Sequence, residues 1–307
     1  MLHLRLITPP DRTEAVIRLI ETTVGTTHLA VVPGAARNPV GDIVMVDVAR
    51  EAGDDLIGGL RELKIDTDGS IAVEDIDLSL SRHADKAEDD APGEGADAVL
   101  WEQLTEATHE ESTLSVTYLA FITLATMIAA CGVVLDNAIL IVGAMAVGPE
   151  FGPLAGFSTA VVRRRPRLAL RSLTALLVGF AVAMAVTVLF SLLMDGLGLF
   201  TEDMLEGDRP NTAFVYAPDA FSFVVAVLAG IAGTLSLTSA KSGLLVGVAI
   251  SVTTVPAAAN AAVALSYGDT SQTVGSTNQL LLNLAGITLA GTLTLLTQKW
   301  LWSRQRH

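Results

Sequence analysis

The sequence predicts an α-helical polytopic membrane domain of six transmembrane helices, arranged as a 3+3 inverted repeat. A small α+β ferredoxin-like (βαββαβ) cytoplasmic domain precedes it. Three observations predict this class. The 307 residues are 51% hydrophobic and only 17% charged, against roughly 25% charged in soluble domains, and the mean hydropathy is +0.53. The charge is split: residues 1–112 hold 9 Lys+Arg against 24 Asp+Glu, while residues 113–307 hold 10 against 9. The net charge of −14 therefore belongs to the first third. Finally, the apolar pattern changes from short periodic runs to stretches of about 20 residues, the length that crosses a bilayer.

The elements of the first third follow in order. Leu2–Ile7 is a short apolar run. Asp11–Val24 carries Ala15, Val16, Leu19 and Ile20 at helical spacing. Thr27–Val32 reads as a strand stopped by Pro33-Gly34, and Asp42–Ala49 alternates as a strand should. Asp54–Leu63 is amphipathic through Leu56, Ile57, Leu60 and Leu63, and Ser70–Leu78 is a last strand. This β-α-β-β-α-β order within residues 1–80 is the split βαβ of a ferredoxin-like sandwich, a module that can hold a small cytoplasmic ligand. Gly25 and Pro33-Gly34 either frame such a ligand or simply reverse the chain. Residues 81–97, with six acids around Pro92-Gly93, read as a flexible acidic linker with too little apolar surface to fold. Residues 98–112 form an amphipathic connecting helix whose acidic face suits protein better than anionic lipid.

Residues 113–307 hold six apolar stretches: Leu114–Leu135, Ala138–Val162, Leu168–Met194, Phe221–Thr238, Gly243–Leu265 and Gln279–Leu301. Basic residues set the orientation. Arg163, Arg164, Arg165, Arg167 and Arg171 follow the second span, Lys241 the fourth, and Lys299, Arg304 and Arg306 the sixth. The opposite loops are acidic, with Arg209 as the exception. The positive-inside rule then puts both termini of a multi-pass membrane protein in the cytoplasm. The start shows no secretory signal, because Pro9 and Pro10 cut off the apolar run at once.

Leu140–Gly143 recurs as Leu244–Gly247, an offset of 104, and Pro153 falls within one residue of Pro256 at that offset. Three spans per copy force the second copy to run the opposite way through the membrane. The segment Gly143–Gly156 holds the most chemistry. Pro149 and Pro153 remove backbone donors inside a span, which breaks or kinks it. Such a break survives in lipid only where it faces protein or a wet cavity. Gly148, Gly152 and Gly156 are spaced for a close helix crossing, so packing and a substrate-lining break are both open readings. Glu150 is the one acid well inside a predicted span. It either serves as a proton or cation relay or sits solvated at a membrane mouth. In the second half, Thr253, Thr254, Pro256 and Asn260 occupy the equivalent place. Asn283 is a further polar candidate, and Asn137 another, as ligand contact or helix–helix glue.

Other classes find little support. There is no H-E-x-x-H, no G-x-S-x-G and no P-loop, so no enzymatic activity, cofactor or metal is expected. The five His lack metal-ligand spacing, and Cys131 reads as a small core residue. An acidic surface disfavours nucleic acid. Lys makes up only 4 of the 19 basic residues, a halophile-like composition that GC-rich codon bias explains equally well.

The Gly143–Pro153 segment, the arginine-rich loop at 163–171 and the run at 247–256 together resemble a prokaryotic membrane family, the domain of unknown function 389. The resemblance spans roughly residues 113–300, and the soluble domain is similar to that of one branch of the family. It implies a membrane location and fold, and no substrate. Glu150 departs from the apolar residue usual after that proline. Two functions are expected: a membrane transporter or channel-like protein with its pathway between the repeats, or a membrane-anchored sensor or assembly protein that moves nothing. The lipid bilayer is the implied partner, and small-residue helix faces imply a homo-oligomer.

Overall fold

The computed structural model describes residues 1–93, 98–217, 219–239 and 253–305. The chain divides into two compact units, one built on Met1–Gln103 and the other running from Leu104 through the C-terminal helices.

The first unit runs β1 (Leu2–Thr8), α1 (Thr13–Thr22), β2 (Thr26–Arg37), β3 (Val40–Val48), α2 (Arg50–Glu62), a one-turn α3 (Ile65–Asp68), β4 (Ser70–Asp75) and α4 (Arg82–Asp90). The strands form one antiparallel sheet in the order β2-β3-β1-β4. Strand alternation puts Leu2, Leu4 and Leu6 of β1 and Val44, Val46 and Val48 of β3 on one face. They meet Val16 and Ile20 of α1 and Leu56 and Leu60 of α2 in a single buried cluster.

Two sequence expectations change here. Pro33-Gly34 does not stop β2. The strand slips register between Val32 and Ala36 and then continues. Because β2 is an edge strand, Pro33 forfeits no ladder bond the sheet depends on. The acidic stretch read as a linker holds helix α4. Ser81 caps it by accepting from the His83 N–H at 3.2 Å, and Ala84 and Ala87 are buried. The rest of that stretch, residues 94–97, lies outside the described residues.

The second unit contains the end of α5 (Trp101–Glu111), then α6 (Val116–Val134), α7 (Ala138–Val147), α8 (Phe151–Arg163), α9 (Pro166–Gly196), α10 (Glu202–Glu206), α11 (Ala220–Thr238), α12 (Thr254–Tyr267) and α13 (Thr270–Gln305). Four of these, α6, α9, α11 and α13, are long and apolar enough to cross a membrane. The pair α7 and α8, bent by 52°, makes a fifth if it counts as one broken span. These lengths suggest a membrane protein. The expected fifth span, Gly243–Leu265, lies outside the described residues up to position 252. Its remainder is α12, too short to cross a bilayer alone. Lys241 and Arg306, two of the orienting cations, also lie outside. α12 is buried along Thr254–Ala264, and six of its 14 residues are alanine. It packs on α6, α7 and α9, and small side chains let these helices approach it.

Asp42 ties the first unit together locally. Its carboxylate accepts from the Thr13 hydroxyl at 2.6 Å and the Gly34 N–H at 2.7 Å. Those bonds hold the carboxyl below its ordinary range. A lowered acid pKa gives stability that is full above the unfolded value of about 3.9 and is lost as pH falls through the folded value. Hydrogen-exchange protection factors of β1 and β3 in the full-length protein, corrected for intrinsic exchange at each pH, should therefore fall below about pH 4. In Asp42→Asn this acid-dependent step should shrink, and an unchanged profile would refute the assignment.

Candidate functional site

The site grows from one interruption. Gly148 closes α7 with an extended backbone, φ −66° and ψ 127°. Pro149 enforces this, because its ring disfavours helical geometry in the residue before it and offers no N–H. α8 then restarts at Phe151. Pro153 is the third residue of α8, and Pro256 is the third of α12. First-turn N–H groups have no helical acceptor, so both prolines sit where their missing donor costs least. The expected broken or kinked span is thus one break followed by a helix start, with a second helix start at α12.

Glu150 lies in that break and is 3% exposed. Its Oε1 accepts from the Thr254 hydroxyl at 2.7 Å. Its Oε2 has no hydrogen-bond partner among the described residues. The carboxylate folds back over Gly148, where an added Cβ would stand 2.3 Å from Oε2 and 2.9 Å from Val255 Cγ2. Only glycine leaves room for it. Next to Thr254, the Thr253 hydroxyl accepts from Asn283 Nδ2 at 2.8 Å, and Asn283 Oδ1 accepts from Gln279 Nε2 at 3.5 Å. A polar string thus runs from Glu150 through the start of α12 to α13. It ends on Gln279 Oε1, which is also buried without a partner.

The other two glycines of the series make a close crossing. A Cβ on Gly152 would stand 2.6 Å from Glu111 Cβ, and one on Gly156 2.3 Å from Ser112 Oγ and 2.7 Å from Ser172 Oγ. α8 therefore packs directly on the end of α5 and on α9. A cleft of about 450 Å³ opens beside the break, lined by Gly148, Pro149 and Gly152 together with Glu110, Glu111 and Tyr118. Burial pushes the Glu111 carboxyl up, and the charge of Glu110 adds to this. The Tyr118 hydroxyl is buried without a partner among the described residues.

Asn260 stands apart from this group. It accepts from Arg209 at 3.1 Å and donates to Ser276 at 2.7 Å and to Gln272 at 3.4 Å. Arg209, 3% exposed, also donates to Gln272 and stacks 4.9 Å from the Tyr216 ring. The cation that broke the orientation pattern is therefore a buried strut and not a surface charge. Asn137 caps α7, accepting from the Ile139 and Leu140 N–H groups. Tyr118, Glu111 and Gln279 join the site without having been expected there from the sequence. Only Gln279 carried a signal, because its spacing of four from Asn283 puts both on one helix face. No group of three His, Cys, Asp or Glu side chains among the described residues could hold a metal.

The Gly156 crossing makes a direct forecast. Gly156→Ala must push apart two buried serines hydrogen-bonded at 2.9 Å, which should cost about 1–3 kcal/mol. Gly143 has nothing within 4 Å of an added Cβ, so Gly143→Ala should be neutral or stabilising by about 0.5–1 kcal/mol. Thermal unfolding in detergent compares them, and equal losses would refute the close-packing account.

The break, Thr254 and Asn283 all fall inside a region similar to known proteins. Over 203 residues, 66% of this chain, the sequence is 26% identical to an uncharacterized protein of Methanocaldococcus jannaschii. The chain spans 61% of that relative's length. No solved structure matches the chain. Residues 145–289 match the family described as "Domain of unknown function (DUF389)". This stretch, which carries the broken helix and the Glu150–Thr254 bond, is thus where the chain is similar to that family.

Proposed function

We infer that this chain is a membrane transporter or channel-like protein, and that Glu150 binds a monovalent cation or a proton on its path. One observation carries the reading: a buried carboxylate stands in a helix break with one oxygen unpartnered among the described residues. An ionised carboxylate without a cation is too costly to bury, so it takes up a proton or a cation. The surrounding donors are Thr253, Thr254, Asn283 and Gln279, neutral oxygens suited to a hard cation. A single formal charge favours a monovalent one. The neighbouring cleft is lined by Glu110 and Glu111 and by no basic residue, which favours cation entry.

The inverted repeat belongs to this proposal, and the helix bounds support it. α6 and α11 begin and end at the same offset as Glu150 and Thr254, which are 104 residues apart. α9 and α13 begin at that offset, and α8 and α12 end at it. Arg164 and Gly268, which follow α8 and α12, both have positive φ, at 55° and 75°. The bond between the two helix restarts therefore joins positions that the repeat relates. Six spans, cytoplasmic termini and a homo-oligomer complete the proposal. The strand order supports a ferredoxin-like reading of the first unit.

One feature favours the second reading, a membrane-anchored sensor. His3 and His28 both contact Asp47, at 2.6 and 2.7 Å, and His28 holds a left-handed φ of 52° within the β2 register shift. A strained residue held by such contacts is a mark of functional sites.

Flux through reconstituted vesicles separates the two. The wild type should dissipate a proton, sodium or potassium gradient. Glu150→Gln keeps an acceptor for Thr254 but removes the charge, and should reduce flux to that of protein-free vesicles. An inert wild type across all three ions, or a variant as active as wild type, would overturn the transport reading.

A further inference from the structure

We propose that a second cleft, between α5 and the α8–α9 turn, binds a phosphate ester that carries a hydroxyl group beside its phosphate. Five of the chain's 19 basic residues fall within positions 163–171. Two already have evident work. Arg163 ends α8, where a cation suits the helix C-terminus. Arg171 donates to His109 Nε2 at 2.9 Å and to the Thr113 hydroxyl.

The other three, Arg164, Arg165 and Arg167, line a cleft of about 530 Å³ with His109, Thr105 and Glu106. That volume falls in the range of about 300–1,000 Å³ typical of small-ligand pockets. Arg164 and Arg167 form no ion pair with any described residue. Glu106 is the one carboxylate in the lining, so Arg164 and Arg167, without an ion pair among the described residues, share the cleft with a single lining carboxylate. In a chain of net charge −14, this is a local reversal of sign.

The donors converge by type as well as charge. Guanidinium groups give forked bonds that match phosphate oxygens. Arginine can only donate, so His109 Nε2 is an acceptor and its ring proton sits on Nδ1. The start of α9 adds a smaller contribution. Arg165 makes no side-chain cap there, and the Arg167 and Leu168 N–H groups belong to the first helical turn, which has no helical acceptors. Glu106 would repel a bare phosphate but accepts a bond from a hydroxyl next to one. Arginines placed only by membrane orientation would each reach a separate headgroup. Here they wall one cavity.

Two sources share this chemistry: the headgroup of phosphatidylglycerol and soluble glycerol phosphate. The full-length protein tests both. Calorimetric titration in detergent uses glycerol 3-phosphate as probe. Native mass spectrometry from nanodiscs compares retention of phosphatidylglycerol with that of phosphatidylcholine. The exposed pair Arg164→Gln/Arg167→Gln should weaken the bound probe by at least about tenfold while leaving the thermal transition in place. Arg5→Gln/Arg18→Gln, in the first unit, removes equal charge and should leave binding unchanged. Binding of glycerol phosphate supports the site with a soluble ligand, and retention of phosphatidylglycerol alone supports it with a lipid. Failure of both probes, or equal weakening by the two double variants, would overturn it. The proposal is independent of ion flux, so an inert vesicle assay leaves it standing.

Discussion

The contact on which the second unit depends is the hydrogen bond from Thr254 to Glu150. It closes the one described place where an apolar helix is interrupted. In hydrocarbon, a backbone break leaves polar groups that lipid cannot satisfy. Here the break is closed over by protein. Glu150 folds onto Gly148, Val255 packs beside it, and the wholly buried face of α12 covers both. Each constraint recruits the next. Pro149 forces the extended turn, the turn needs a residue without Cβ, and the carboxylate over that residue needs a donor from α12. The alanines of α12 let it come close enough to supply one.

Part of this was legible in the sequence because it is local. Periodicity gives the strands and the two helices of the first unit, and the Gly-Pro-Glu-Phe-Gly-Pro segment announces a break without reference to any partner. The errors share a cause. Pro33-Gly34 looks like a stop, but an edge strand tolerates it, and edge position depends on the whole sheet. The acidic stretch at 82–90 looks too polar to fold, yet two alanines and a serine cap suffice for a short helix docked on β2 and β3. Arg209 looks like a misplaced surface charge until Asn260, Gln272 and Tyr216 enclose it. In each case the deciding partner lies far away in sequence. Tyr118 and Glu111 were invisible for the same reason, since nothing local marks the wall of a cleft.

The glycine series shows how packing and chemistry share one motif. Gly152 and Gly156 serve a helix crossing, while Gly148, at the same spacing, serves the carboxylate. The close crossing and the break thus occupy the same segment. Close approach by α5 and α9 holds α8 in place, and α8 fixes where Glu150 stands. Without that tight crossing the break would have no fixed geometry, and a carboxylate in a loose break would draw water instead of remaining buried.

α5 then links features of opposite sign. Its end contributes Glu110 and Glu111 to the cleft beside the break, and Thr105, Glu106 and His109 to the arginine-lined cleft. Residues 106 and 110, or 105 and 109, are one helical turn apart, so a single short helix walls both cavities. It is held on α9 by the Ser112–Ser172 bond and by Arg171, and it packs on α8 at Gly152 and Gly156. A rigid helix cannot move at one wall without moving at the other. Any ligand that draws the arginines of the α8–α9 turn toward α5 therefore acts on the same helix that lines the cleft beside the break.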